Sequence, residues 1–115
     1  MTIQIKKTYR GANPQMVRDE VRDLAQKQGL IVGEAKQQTY PLPSGSTQSR
    51  ITLVFKTRAE QQEGQKECGN ATIIGSPAGE TKMILDIDEK LFPQERISAL
   101  QESLDFILGS YELKW

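Results

Sequence analysis

The sequence predicts a two-layer α+β domain, a mainly antiparallel curved sheet of about five strands with two helices on one face. Three observations carry this expectation. Residues 92–109 place Ile97, Leu100, Leu104, Ile107 and Leu108 at helical spacing. A second helical stripe, Val17, Val21 and Leu24 with Ala25, lies near the N-terminus. Elsewhere, apolar and polar residues alternate in short runs joined by turn signals, as in paired strands with one face buried.

The chain has 115 residues, which suits a single domain over 1–115 with one core. A chain of this size buries about 65% of its unfolded surface, leaving room for a modest pocket. Apolar residues make up 37% and charged residues 26%, the balance of a globular protein. No apolar run approaches the ~18 residues of a membrane span, and the first residues alternate rather than forming an apolar block, so neither membrane nor export signal is expected. With a single cysteine, Cys68, no internal disulfide can form, and a reducing cytoplasm is the expected compartment.

There is no histidine. That removes the commonest general base and metal ligand, and with them Ser-His-Asp and Cys-His catalysis. No metal or other cofactor is expected. Carboxylate or lysine chemistry stays open.

In chain order, Ile3, Ile5 and Tyr9 alternate with Gln4, Lys6 and Thr8 as a first strand. Lys7 falls on the apolar parity, which places it near a sheet edge or a cavity mouth. Asn13 and Pro14 are an N-cap and a first helical residue. Gly29 ends that helix. Leu30 to Tyr40 begins apolar and turns polar, a strand running out beyond the core. Pro41 to Ser46 is the clearest turn, after which Ile51, Leu53 and Phe55 mark a third strand. Residues 59–69 have no apolar period and read as a surface excursion ending at Cys68. Residues 71–75 and 81–88 are two more strands around the turn 76–80; Met83, Leu85 and Ile87 face inward in the second. Pro93 is expected at the first position of the C-terminal helix, Glu95 in its first turn, and Gly109 as its left-handed end. Tyr111, Leu113 and Trp115 then alternate as a brief final strand.

The order strand, helix, four strands, helix and tail resembles the TATA-box-binding-protein-like and helix-grip arrangement, in which a curved sheet wraps a long C-terminal helix. The resemblance covers nearly the whole chain and rests on element order alone. It implies an apolar cleft between sheet and helix. The alternative is a ferredoxin-like sandwich with an inserted hairpin.

Candidate sites follow from parity. Tyr9, Phe55, Met83, Leu104 and Leu108 are the candidate lining of an apolar pocket, and the seven aromatics as a set are candidates to contribute to it. Lys6, Arg10, Lys56 and Arg58 share outward parities and form a basic patch if the first and third strands are neighbours. Asp86, Asp88 and Glu89 are the tightest carboxylate group; at a strand end before a helix they read as solvated acids rather than a Mg²⁺ or Ca²⁺ site. Gly75 to Gly79 lacks the Lys and Ser/Thr of a phosphate loop and reads as a hairpin turn.

Charge is unevenly spread. Residues 1–58 hold ten Lys or Arg and four Asp or Glu, and residues 59–115 hold five and eleven, so the halves carry +6 and −6. Either the halves interleave in one sheet, or an exposed sheet face has a basic and an acidic side and pairs with a second copy, with Val54 and Ile84 in the contact. The tail, Tyr111, Leu113 and Trp115, is a second candidate interface, by strand addition to a homodimer or another protein.

The composition therefore points to a non-catalytic binding or interaction module, for a small apolar ligand or a protein partner. The alternatives are a small carboxylate/lysine enzyme using Asp86, Asp88 and Glu89, or a weak nucleic-acid binder through the basic sheet face. A sequence pI of 6.3 and the scarcity of outward aromatics argue against nucleic acid.

Overall fold

The computed structural model describes residues 2–57, 67–76 and 79–113. Its elements run β1 (Thr2–Arg10), α1 (Pro14–Lys27), β2 (Ile31–Val32), β3 (Lys36–Pro41), β4 (Thr47–Lys56), β5 (Glu67–Gly75), β6 (Glu80–Asp88) and α2 (Gln94–Leu108), then a 3₁₀ turn at Gly109–Tyr111. The sheet has six strands in the order β1-β6-β5-β4-β2, with β3 also on β4. Both helices bury their stripes in one core with the sheet, Val17, Val21, Leu24 and Ala25 from α1 and Ile97, Leu100, Leu104 and Leu108 from α2. This is the expected two-layer α+β domain.

Every pairing among the described strands is antiparallel. A ferredoxin-like sandwich needs βαβ units with parallel strands. Here β1 and β2, which flank α1, lie at opposite sides of the sheet instead, so the ferredoxin-like alternative is set aside.

Alternation sets the inner face. Ile51, Leu53 and Phe55 of β4, Ala71 and Ile73 of β5, and Met83, Leu85 and Ile87 of β6 are all buried. The expected second strand is two short ones, because residues 33–35 leave the ladder between β2 and β3. All six residues of β3 are exposed. Glu67, Cys68 and Gly69, expected in a surface excursion, instead open β5, where a register shift opposite Phe55 and Lys56 accommodates the extra residue. Residues 58–66 lie outside the described residues.

Three helix-end details differ from expectation. Pro93 is the N-cap of α2, one position earlier than its ring would suit. Gly109 is right-handed at φ −59, so the chain tightens into the 3₁₀ turn rather than reversing. Among the described residues the final strand shrinks to one bridge, Tyr9 with Glu112, beside a 2.8 Å bond from Leu113 N to Thr8 O.

Candidate functional site

β1 is an edge strand, and its inward parity runs Ile3, Ile5, Lys7, Tyr9. An inward lysine is tolerated at an edge because its head can reach past the core. Lys7 Nζ lies 2.7 Å from Glu112 Oε1 and 3.2 Å from Asp105 Oδ1, with 18% of its side chain exposed. The hydrogen bond that Lys7 donates to Glu112 dominates over desolvation and, with Asp105, raises the Lys7 pKa above its usual value. One cation thus ties β1 to α2 and to the C-terminal segment.

Beneath this clamp lies Tyr9, 1% exposed. Its hydroxyl is buried and has no hydrogen-bond partner among the described residues. Leaving a buried hydroxyl unpaired costs about 1–3 kcal/mol. Burial raises its pKa strongly, and the charges of Glu112 and Asp105 add to the effect, so the phenol stays neutral and keeps its proton. A neutral phenol can both donate and accept.

The pocket candidates fall in two places. Tyr9, Met83, Leu104 and Leu108 are all buried, and Met83 is registered with Lys7 on the neighbouring strand. Phe55 is buried too, but its ladder neighbours are Gly69, Ile87 and, on β1, Ile3. It therefore sits at the far end of the sheet, about 20 Å along the strands from Tyr9 at ~3.3 Å per residue. The aromatics do not all turn inward either. Phe106 is 90% exposed and Tyr40 is exposed. Phe106 stands beside a groove of about 440 Å³ between the helices, lined by Leu24, Lys27 and Ile107. It is a pocket candidate only as one of the seven aromatics, and helical geometry turns it outward. Trp115 lies outside the described residues.

The basic patch is not assembled as expected. β1 and β4 are separated by β6 and β5, so Lys6 and Lys56 are not neighbours. Arg10 is paired with Glu80 at 2.9 Å. Arg58 lies outside the described residues. The outward face groups other residues instead. One row across it is Lys6, Ile84, Thr72, Thr52 and Lys36; the next is Thr8, Lys82, Ile74, Arg50 and Gln38. The row on the other side of the first is Gln4, Asp86, Asn70 and Val54, with Thr2, Asp88, Glu67 and Lys56 beyond it. Lys82, Arg50 and Lys36 could have been found only with the strand order in hand.

The carboxylates at that end are engaged locally. Asp86 Oδ1 accepts from Gln4 at 2.9 Å, and Asp88 Oδ1 accepts the Lys90 amide at 2.9 Å in the turn to α2. They border an open cleft of about 410 Å³ with Thr2, Asn70 and Cys68. Among the described residues no three His, Cys, Asp or Glu side chains are placed to hold a metal ion. Cys68 is 2% exposed, and burial, then the charges of Asp88 and Glu67, raise its thiol pKa against an opposing backbone hydrogen bond. No described helix is long and apolar enough to cross a membrane.

The tail candidates Tyr111 and Leu113 are half-buried against their own chain. A side chain on Gly11, where φ is +88, would meet the Tyr111 ring at 3.4 Å, and Leu113 is bonded to Thr8. Strand addition to another chain would require this segment to leave β1.

No protein-family model matches the sequence, and no curated protein matches it. Among solved structures, the ginseng major latex-like protein 151 from Panax ginseng aligns over 99% of both chains at 10% identity, with a TM-score of 0.37. Similarity this low supports no inference from that protein to this chain.

Proposed function

We propose that the protein is a non-catalytic binding module that takes up a small, mainly apolar ligand between the sheet and α2, with one polar group of the ligand meeting the Tyr9 hydroxyl. The observation that carries this reading is the buried Tyr9 hydroxyl, which has no hydrogen-bond partner among the described residues; Met83, Leu104 and Leu108 belong to the same core. Buried polar groups are nearly always paired, and an exception calls for an explanation, which a bound molecule with a polar group would supply. An apolar body with one placed polar contact is the usual make-up of a small-molecule site. Access runs under the C-terminal segment, where Lys7, Asp105 and Glu112 form the closure. The absence of histidine and the local engagement of Asp86 and Asp88 favour binding over carboxylate/lysine catalysis. A reducing cytoplasm suits the single buried thiol.

Native mass spectrometry of protein purified from cells, followed by a thermal-shift screen of apolar compounds with and without a hydroxyl or carbonyl, tests the reading. A co-purified adduct, or stabilisation by the compounds bearing a polar group, is expected. Tyr9→Phe should leave the free protein as stable or up to ~1 kcal/mol more stable, because it removes an unpaired hydroxyl. It should also abolish the preference for polar-bearing compounds. No adduct and no shift with any compound would rule the reading out.

A further inference from the structure

The outward face of the sheet carries no helix, since both helices bury their stripes on the other side. Ile84, Ile74 and Val54 stand on it half-buried, with Thr72 and Thr52 between them. Charge on this face is sorted along the strands. Glu67, Asp86 and Asp88 lie at one end, where Lys56 is registered with Glu67 and leaves three acids against one base; Lys6, Lys82, Arg50 and Lys36 fill the two middle rows, which hold no acid. At the far end Arg10 and Glu80 neutralise each other at 2.9 Å.

We propose that this face is a weak, isologous interface for a second copy of the chain, stacked sheet on sheet about a two-fold axis that lies in the interface and crosses the strands. Such an axis turns the second copy end for end, so the acidic end of each sheet covers the basic rows of the other. The surface is then self-complementary, as a two-fold contact requires. An axis along the strands would place like rows together, basic on basic, and is disfavoured. Packed sheets keep their strands within about 30° of each other at ~10 Å separation, which preserves this match. Ile84, Ile74 and Val54 supply the apolar centre.

A second copy fits better than a nucleic acid. Base stacking needs aromatic platforms, and neither middle row contains one. With strands ~4.8 Å apart and ~3.3 Å per residue, the four rows cover about 400–500 Å² per copy. That is roughly half the ~800 Å² per partner of a stable interface, so the contact is weak. The proposal does not depend on ligand binding at Tyr9.

Sedimentation velocity on the full chain, from micromolar to millimolar concentration at low and high salt, tests it. The expected result is a dimer whose dissociation constant rises about tenfold or more from 50 to 500 mM NaCl, as screening shortens to within a few ångströms. Lys82→Glu and Asp86→Lys, each checked for folding by circular dichroism, should each abolish dimerisation. A mixture of the two variants should restore it, because the heterodimer re-pairs opposite charges at both symmetric contacts. A monomer under all conditions overturns the proposal, as does a dimer indifferent to salt and to both variants. A monomer that instead retains an oligonucleotide through Lys82 would overturn it in favour of nucleic acid.

Discussion

The two helices bury the same number of side chains, four each, yet they are held very differently. α1 is closed at both ends. Asn13 Oδ1 accepts the Met16 amide at 2.8 Å, and Pro14 fits the first turn. At the other end, Gly29 at φ +88 lets its amide bond Gln26 O at 3.0 Å and the Leu30 amide bond Ala25 O at 3.1 Å. Arg96 Nη1 of α2 adds a 3.0 Å bond to Gln28 O. α1 also lies directly against β4, β5 and β6. α2 has no side-chain cap at Pro93, runs into a 3₁₀ turn at Gly109, and exposes Phe106. Its C-terminal half is tied to the sheet edge through Asp105 and Lys7. Equal stripes therefore produce a fixed helix and a looser one, and the looser one covers Tyr9.

The largest test of this contrast is Leu104→Ala. Removing a fully packed leucine should cost about 2–5 kcal/mol, read by urea denaturation. Hydrogen exchange on the same variant should show α2 and residues 109–113 opening well before α1. Equal exchange in the two helices would break the comparison. Next is Gly75→Ala, where a Cβ would run into the Pro14 ring and lie 2.8 Å from Ser49 Oγ. Overpacking there should cost about 1–3 kcal/mol and loosen α1, not α2. If α2 amides respond first, the seat of α1 is elsewhere. A smaller pair sharpens the point at the helix starts. Asn13→Ala should cost about 1 kcal/mol, while Pro93→Ala should stay within about 0.5 kcal/mol. Equal losses would mean that α2 is as firmly begun as α1.

The smallest effect concerns alkaline pH. Lys7 has a folded pKa raised above 10.5 and Tyr9 one raised above 10.0. For both, the native state holds its proton more tightly than the unfolded chain. Their stabilisation is therefore complete below about pH 10 and declines as pH rises through the raised folded values. Thermal melts between pH 9 and 11 should show this decline, on top of the contribution from Cys68, whose pKa is also raised. In Lys7→Met the decline should be shallower. An unchanged profile would place the closure of α2 in apolar packing alone.

Much of this was legible in the residues. Period-two runs identified the buried parity of β4 and β6 correctly, because a strand side chain has only two faces to choose between. Lys7 on an apolar parity marked an edge, and β1 is one. Parity gives a face but no neighbour, however. Lys6 and Lys56 share a face and not a locality, since β6 and β5 separate their strands. Phe55 and Tyr9 share a face and sit at opposite ends of it. The partners of Lys7, Asp105 and Glu112, lie about a hundred residues away, and nothing local encodes that meeting. The unpaired Tyr9 hydroxyl was equally hidden, because a sequence shows that a donor exists and not whether it is answered. The charge halves do interleave, β1 with β6 and β4 with β5, while a sorted pattern survives along the strands of the outer face.

The pairing of β1 with β6 also has a consequence in time. Thr2 is registered with Asp88, and at the near end Arg10 with Glu80. During synthesis the first strand therefore leaves the ribosome with its inner face of Ile3, Ile5 and Tyr9 unclaimed, and its ladder partner β6 is not yet made. At about 5–20 residues per second, some 80 residues of waiting amount to roughly 4–16 s. In that interval α1 can form locally, but the sheet cannot close at this side, and the contacts that close it are the slow, long-range ones. Lys6, Lys7 and Arg10 give the waiting strand a charge that opposes aggregation until its partner arrives.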